Sequence, residues 1–244
     1  MSLLVIPATA PGGGAFSPLD IPWQFAWWYG ADGGNESLNS SNAAAADTET
    51  VTKLIDQLPG IYATNSAGSA ILQTANEGVY FGGAASMDFG NVLGEIVDTA
   101  AFEMMMVLDL SGASDSQRAF ELNGAGGYIR VVANATAGSI QAVVSDGADK
   151  TATLSTDPSG LHLVGARYAR SGSVIVSLDG TDSSPTSVGT TATVSTSGGR
   201  LMASRINSNY TTGVVKALFV IARTLTTAER SKMVAWAQSA FSTP

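Results

Sequence analysis

The C-terminal segment of this 244-residue chain constrains its fold more than any other part of the sequence. An apolar run at 214–222 is followed by Thr226, with Glu229 three positions later. This spacing is a capping box, in which each side chain satisfies a backbone N–H group left open at a helix start. Apolar residues then recur at helical spacing, at Met233, Trp236, Ala237, Ala240 and Phe241. We therefore predict that the chain closes with one strand and one short amphipathic helix.

The preceding part of the chain has the pattern of antiparallel strands. In 102–110 apolar and other residues alternate with period two, so that Phe102, Met104, Met106, Leu108 and Leu110 share one face. Further strands are expected at 117–122, 128–133, 139–144, 151–154, 161–168, 173–178, 190–194 and 201–206. Turn dipeptides separate them, at Asn123-Gly124, Gly126-Gly127, Asp146-Gly147 and Asp179-Gly180. The pattern predicts an all-β fold, a two-sheet antiparallel jelly-roll sandwich with one C-terminal helix.

The N-terminal region divides into an arm and an aromatic strand. Proline and glycine interrupt residues 1–20, which we interpret as an extended arm with an apolar tip made of Leu3, Leu4, Val5 and Ile6. The tip either folds back or docks on a partner. Residues 21–244 are then one domain. It begins with 23–29, where alternate aromatic residues favour a buried strand over a sugar-stacking surface, and where Trp28 is expected to be exposed.

Composition excludes several classes of function. The net charge of -8, with only 12 Lys and Arg residues, argues against nucleic acid as a partner. No cysteine is available for a disulfide. The first residues lack the basic start of a secretory signal, and no apolar run reaches membrane-spanning length, so we expect neither a signal peptide nor membrane insertion.

Several segments together resemble the concanavalin A-like lectin/glucanase superfamily, and within it the LamG-like jelly-roll domains. The similar segments lie at 78–83, 102–110, 161–168, 174–180 and 223–230. They occur in the family's order, and the resemblance covers about residues 21–241. It implies the sandwich fold. One departure is Leu161, where the family usually has tryptophan before His162.

The sequence lacks a catalytic set of the kind found in glucanases of this superfamily. Those enzymes place acidic residues at alternate positions of one strand. Glu95 and Asp98 would lie on opposite faces of a strand. Glu103 and Asp109 would share a face but lie ~20 Å apart, beyond the ~5 to 9.5 Å of either glycosidase geometry. We therefore predict a non-enzymatic protein and keep a glycoside hydrolase as a remote alternative.

Metal and cofactor sites have weak support in the sequence. His162 is the only histidine and lies in an apolar strand, which favours a structural role and excludes a zinc site of the usual His and Cys type. No cofactor is expected. Calcium stays open, because carboxylates occur on predicted loops, at Asp146, Asp149, Asp179 and Asp182. Hairpin turns favour the same residue types.

Two clusters combine an aromatic ring with polar side chains, as glycan sites do. The first, on a predicted loop, consists of Arg205, Asn207, Asn209 and Tyr210. The second, on a predicted hairpin, consists of Asn123, Tyr128 and Arg130.

The resemblance and the missing signal peptide together favour a bacteriophage virion protein over a secreted one. Its predicted role is a head decoration, spike or tail-associated adhesin, with residues 1–20 attached to other virion proteins and the sandwich facing host surface polysaccharide. A homo-oligomer is expected, with the virion as its location. The alternative is a stand-alone carbohydrate-binding module.

Overall fold

Two antiparallel sheets packed face to face form the protein, and one helix lies on the outer side of the first sheet. The computed structural model describes residues 16–23, 25–30, 37–55, 57, 62–88, 101–110, 116–124, 127–134, 136–145, 148–189, 198–203 and 209–244. The strands are β1 (Phe25–Trp28), β2 (Ser37–Leu38), β3 (Thr50–Val51), β4 (Lys53–Ile55), β5 (Tyr62–Ala67), β6 (Ala70–Gln73), β7 (Gly78–Phe81), β8 (Ser86–Asp88), β9 (Ala101–Asp109), β10 (Gln117–Gly124), β11 (Gly127–Asn134), β12 (Ser139–Ser145), β13 (Asp149–Leu154), β14 (Leu161–Ala169), β15 (Ser173–Leu178), β16 (Thr181–Asp182), β17 (Thr186–Ser187), β18 (Gly198–Leu201) and β19 (Gly213–Ile221). The helix is α1 (Thr227–Phe241), and short 3-10 helices occur at Pro18–Asp20 and Thr74–Asn76.

The strands divide between the sheets as a jelly-roll sandwich requires. Sheet A has the order β16-β15-β14-β9-β19-β7-β6-β3, with β1 also paired to β19 and β17 to β15. Sheet B has the order β13-β12-β11-β10-β18-β8-β5-β4-β2. The consecutive hairpins from β10 to β13 are the meander that the turn signals predict. The predicted two-sheet fold is therefore confirmed.

The main core lies between the sheets and follows the period-two pattern. On β9 the side chains of Phe102, Met104, Met106 and Leu108 all enter this core. The intervening Met105 and Val107 face outward, yet they are buried as well. Strand β9 is therefore covered on both of its faces, and a second apolar layer must lie outside sheet A.

Helix α1 provides that second layer. Its apolar side chains pack on the outer face of sheet A, together with Ile21, Trp23 and Trp28. The capping box is confirmed, because the Thr226 hydroxyl accepts from the Glu229 N–H at 3.2 Å and the Glu229 carboxylate accepts from the Thr226 N–H at 2.8 Å. Trp28 is only 3% exposed, so its predicted exposure is wrong. Its indole packs against α1, 5.9 Å from the ring of Trp236.

Some strand boundaries differ from the prediction. Asn123-Gly124 lies in β10, paired with Tyr128 and Gly127, rather than in a turn. The strand predicted at 201–206 ends at Leu201, where β18 finishes, and the strand predicted at 190–194 lies outside the described residues. Asp179-Gly180 does form a tight turn, with φ of 50° and 83°, the left-handed values that such a hairpin needs.

The N-terminal residues that the structure describes lie against the domain. Phe16 packs on the layer formed with α1, Pro18 is buried, and the indole N–H of Trp23 donates to the Pro18 carbonyl at 2.8 Å. Leu3, Leu4, Val5 and Ile6 lie outside the described residues. In the described part of the chain no helix has both the length and the apolar character needed to cross a membrane.

Candidate functional site

A row of alternating charges crosses the outer face of sheet B. Cross-strand partners place Asp88, Arg200, Glu121 and Arg130 next to one another on β8, β18, β10 and β11. Opposite charges in such positions attract each other across the ladder. Arg118 adds a further contact, with its Nη1 3.1 Å from a carboxylate oxygen of Glu121. We call these five residues the charge row.

One end of the charge row carries an aromatic ring. The Tyr128 hydroxyl donates to the Asp149 carboxylate at 2.5 Å, and Arg130 Nη2 donates to the other Asp149 oxygen at 3.1 Å. The Arg130 guanidinium also lies 4.3 Å from the centre of the Tyr128 ring, a cation–π distance. Burial and the bond to Asp149 raise the pKa of Tyr128 to about 12. These three residues, which we call the Tyr128 cluster, are therefore mutually bonded.

The structure brings together only part of the sequence-predicted candidates. Tyr128 and Arg130 are neighbours on β11, and Asn123 pairs opposite Tyr128, with its side chain outside the described set. In the other cluster Arg205 and Asn207 lie outside the described residues. Asn209 is exposed in a left-handed conformation, with φ of 50°, and its carbonyl accepts from the Arg118 N–H at 3.0 Å; the neighbouring Tyr210 is half-buried.

A cleft on sheet A is a site that sequence reasoning missed. It has a volume of about 290 Å³ and is lined mainly by Gln73, Asn76, Tyr80, Asp109, Thr212 and Val214. We call it the Tyr80 cleft. It combines one half-buried aromatic ring with two amides, a carboxylate and a hydroxyl, the mixture that ligand sites use for shape and for orientation.

Strand register explains how the Tyr80 cleft forms. Tyr80 on β7 pairs with Val214 on β19, and Val214 pairs with Asp109 on β9. The three side chains therefore lie side by side on the outer face, with the ring and the carboxylate separated by two strand spacings, about 10 Å. Val214 is the floor between them. At one end the Asn76 amide donates to Gln73 Oε1 at 2.6 Å, a contact that does not use the Gln73 amide N–H groups or the Asn76 carbonyl oxygen.

A larger groove, of about 430 Å³, runs between α1 and the turn after β15. Its charged side chains are bonded to protein groups. Arg167 donates to both oxygens of Asp182, at 2.8 and 2.5 Å, and this contact holds the pKa of Asp182 below its ordinary value. Arg230 binds the buried carboxylate of Glu103, with Nε 2.9 Å from Oε1. The Arg230 contact attaches the helix to β9, and the Arg167 contact joins β14 to β16, so this groove has a structural role.

His162 and the loop carboxylates are held by protein contacts. His162 Nδ1 lies 2.6 Å from Asp179, and Nε2 lies 3.0 Å from the Ser159 carbonyl oxygen. This agrees with the structural role expected for the histidine. Of the carboxylates considered for calcium, Asp149, Asp179 and Asp182 accept from protein donors, and Asp146 lies outside the described residues. Within the described ranges, no group of three or more His, Asp or Glu side chains is placed to hold a metal ion.

Comparisons with known proteins identify the fold and no family. No protein-family model matches the sequence. No curated protein matches it either. Among solved structures, an arabinofuranosidase in complex with arabinofuranosyl-α-1,2-xylobiose has a TM-score of 0.67 and 13% identity, over 91% of this chain and 63% of that one.

Two further structures have the same fold. Domain 4 of the arabinanase AbnA from Geobacillus stearothermophilus, in complex with arabinotriose, has a TM-score of 0.59 and 10% identity, over 73% of this chain and 91% of that one. Trypanosoma rangeli sialidase has a TM-score of 0.58 and 12% identity, over 89% of this chain and 33% of that one. The chain thus spans only part of the arabinofuranosidase and of the sialidase. At such identities the likeness shows the fold alone, a two-sheet β-sandwich that these structures also contain.

Proposed function

We propose that this protein is a carbohydrate-binding domain whose site is the Tyr80 cleft. The observation that carries the proposal is the placement of one aromatic ring opposite a carboxylate, with amides and a hydroxyl around them. A sugar ring has C–H faces that pack on an aromatic side chain and hydroxyls that bond to amides and carboxylates. The volume of about 290 Å³ is near the lower limit of ligand pockets, about 300 Å³. It fits one sugar residue of a longer chain.

The Tyr128 cluster is the less suitable of the two aromatic surfaces. Its hydroxyl is bonded to Asp149, and one face of its ring is covered by Arg130. A sugar that stacked there would have to displace an ion pair. Gly82 lies beside the Tyr80 ring and has no side chain to cover it, whereas a Cβ at that position would touch the ring at 3.6 Å. This flank of the Tyr80 ring is therefore open.

The structural neighbours suggest the first ligands to try. One of them is a domain in complex with arabinotriose, and another is an enzyme in complex with an arabinose-containing trisaccharide. Because a shared fold does not fix a shared ligand, these sugars are starting probes within a broad glycan array.

Binding by site-directed variants tests the proposal. We expect Tyr80→Ala to weaken glycan binding by about two- to twelvefold, which corresponds to the about 0.5–1.5 kcal/mol that aromatic contacts contribute beyond area burial. Tyr128→Ala is the matched control and should bind as the wild type does. The opposite result would assign binding to the Tyr128 cluster. A blank array with folded wild-type protein at high concentration would contradict carbohydrate binding itself.

We further propose that binding occurs without hydrolysis. Either glycosidase geometry needs two carboxyl groups about 5 to 9.5 Å apart. Among the described residues that line the Tyr80 cleft, Asp109 is the one carboxylate. Incubation of the protein with each bound polysaccharide should therefore yield no new reducing ends. Release of reducing ends that Asp109→Asn abolishes would show an enzyme instead.

The virion role stays a prediction from the sequence. It fits a carbohydrate-binding domain that displays its site to a host surface, with the part of the predicted arm that precedes the described residues attached to other virion proteins. Deletion of residues 2–15, which precede the described part of the chain, should abolish incorporation into particles and leave a folded domain. Normal incorporation of that variant would contradict the predicted arm.

A further inference from the structure

A small aromatic pocket lies at the C-terminal end of α1, where the helix meets the sheet. Its volume is about 120 Å³, and its walls include Trp28, Tyr29, Trp236, Phe241 and Glu77. Strands β1 and β7 both pair with β19 here, with Trp28 opposite Ala217 and Val79 opposite Val215. The pocket occupies the outer face of sheet A at the junction between those two strands. We call it the aromatic pocket.

The aromatic walls of this pocket are perpendicular to one another. The rings of Trp28 and Trp236 have their centres 5.9 Å apart at an angle of 76°, and those of Trp236 and Phe241 are 5.4 Å apart at 83°. Rings in this arrangement enclose a rounded group on several sides, whereas parallel rings would accept only a flat one. Aromatic rings attract cations through their negative faces, most strongly when the cation is desolvated.

A carboxylate completes the pocket. Glu77 lines it with a side chain that is 57% exposed, and its backbone is fixed in the left-handed conformation, with φ of 52°, that ends the 3-10 helix at Thr74–Asn76. The Lys216 ammonium lies 3.8 Å from a Glu77 oxygen, within ion-pair distance but beyond hydrogen-bond distance. The exposed Glu77 carboxylate can therefore present its negative charge to a ligand. The net charge of the protein, -8, adds a long-range attraction for cations.

The chemistry of the walls selects one type of cation. A primary ammonium carries three N–H donors and needs three acceptors, whereas the described walls consist mainly of aromatic rings with one carboxylate. A quaternary ammonium has no donors, so its methyl groups can contact the rings while its charge faces Glu77. We propose that the aromatic pocket binds a small quaternary ammonium group, such as the trimethylammonium head of choline.

Choline chloride and its uncharged isostere 3,3-dimethyl-1-butanol are the probes for this proposal. The full-length protein is titrated with each compound at constant ionic strength, and binding is followed by calorimetry and by tryptophan fluorescence. Choline should bind at least tenfold more tightly than 3,3-dimethyl-1-butanol. Equal affinity for the two compounds would mean that the pocket recognises only an apolar shape. Absence of choline binding would overturn the proposal directly.

Two variants locate the binding in the aromatic pocket. Glu77→Gln should weaken the binding of choline at least fivefold and leave the affinity for 3,3-dimethyl-1-butanol unchanged. Asp157→Asn, an equal change of charge at a carboxylate that hydrogen-bonds the Ser159 N–H, should leave both unchanged. Equal weakening by the two substitutions would mean a general charge effect and would overturn the site.

A third variant fills the pocket. Ala240 is a half-buried residue of its wall, so Ala240→Leu should occupy the space and abolish choline binding. The unfolding temperature should stay within a few degrees of the wild type, which separates a blocked pocket from a damaged fold. Retention of choline binding by the folded Ala240→Leu protein would contradict the assignment.

Discussion

The outer faces of the two sheets differ in what lies on them. On sheet A, β19 is buried along its whole length and β9 along all but its ends, because α1 and the segment around Trp23 cover the face opposite the main core. On sheet B the outward positions of β10 and β11 carry charges instead, among them Glu121 and Arg130. The same sandwich thus has one outer face with an apolar layer under the helix and one outer face that carries alternating charges.

Ion pairs occur on both faces, and their surroundings decide their energetic role. Under α1, Glu103 is 3% exposed and is bonded to Arg230 and to the Leu225 N–H. On sheet B, Asp149 is 47% exposed in its pair with Arg130. Removing the partner of a buried carboxylate strongly lowers the free energy of unfolding, whereas an exposed ion pair contributes little to it. The buried pair under the helix therefore depends on its contacts, whereas the exposed pair of Arg130 with Asp149 on sheet B tolerates its loss.

The largest expected effect is loss of the central aromatic anchor of α1. Trp236→Ala removes a ring that packs against Trp28, Phe219 and Phe241, and we expect the free energy of unfolding to fall by about 3 to 5 kcal/mol. Urea denaturation measures the change. Thr153→Ala, at an exposed position of sheet B, is the control and should change stability by less than about 0.5 kcal/mol. Equal effects would contradict the difference between the faces.

The next effect is loss of the cation that pairs with Glu103. Arg230→Met leaves a buried carboxylate without its guanidinium, and we expect the free energy of unfolding to fall by about 2 to 3 kcal/mol. This is less than the about 3 to 5 kcal/mol expected for a fully buried pair, because the Arg230 side chain is 16% exposed. Adding Glu103→Gln removes the charge and keeps an acceptor for the Leu225 N–H. The double variant should therefore recover at least half of the lost stability. A double variant as unstable as the single one would contradict this explanation.

Acid should weaken the start of α1. The Arg223 guanidinium and the Thr226 N–H lower the pKa of Glu229 to about 2, from an ordinary value of 4.5. A lowered pKa means that the stabilisation is present above pH 4.5 and is lost as the pH falls toward 2. At neutral pH the free energy of unfolding of the wild type should exceed that of Glu229→Gln by on the order of 1 kcal/mol or less, because solvent partly screens the contact. Urea denaturation across this range should show the difference shrinking; a constant difference would contradict the ion-pair origin.

Local signals predicted the parts of the fold that depend on neighbouring residues. The capping box spans three positions, Thr226 to Glu229, and the alternation along β9 is visible within one strand. The prediction for Trp28 was wrong because its cover is α1, which follows about 200 residues later in the chain. A sequence pattern shows that a side chain faces outward from a strand, but not what packs on that face.

The Tyr80 cleft could not be predicted from the sequence for the same reason. Its walls come from positions as distant as Gln73, Asp109 and Thr212, which are brought together only by the pairing of β7, β19 and β9. Of the two predicted glycan clusters, the part that the structure brings together, Tyr128 with Arg130, lies on one strand two residues apart. Residues two apart on a strand share a face, so this contact follows from the local pattern.

The smallest expected effect is loss of the exposed ion pair of sheet B. A double-mutant cycle on Arg130→Ala and Asp149→Ala should give a coupling energy of about 0.2 to 1 kcal/mol, since Asp149 is half-exposed and water competes for its charge. Raising the salt concentration should reduce this coupling further. A coupling above about 2 kcal/mol that persists in high salt would mean that this outer face is as dependent on its charges as the helix side, and the two faces would no longer differ in kind.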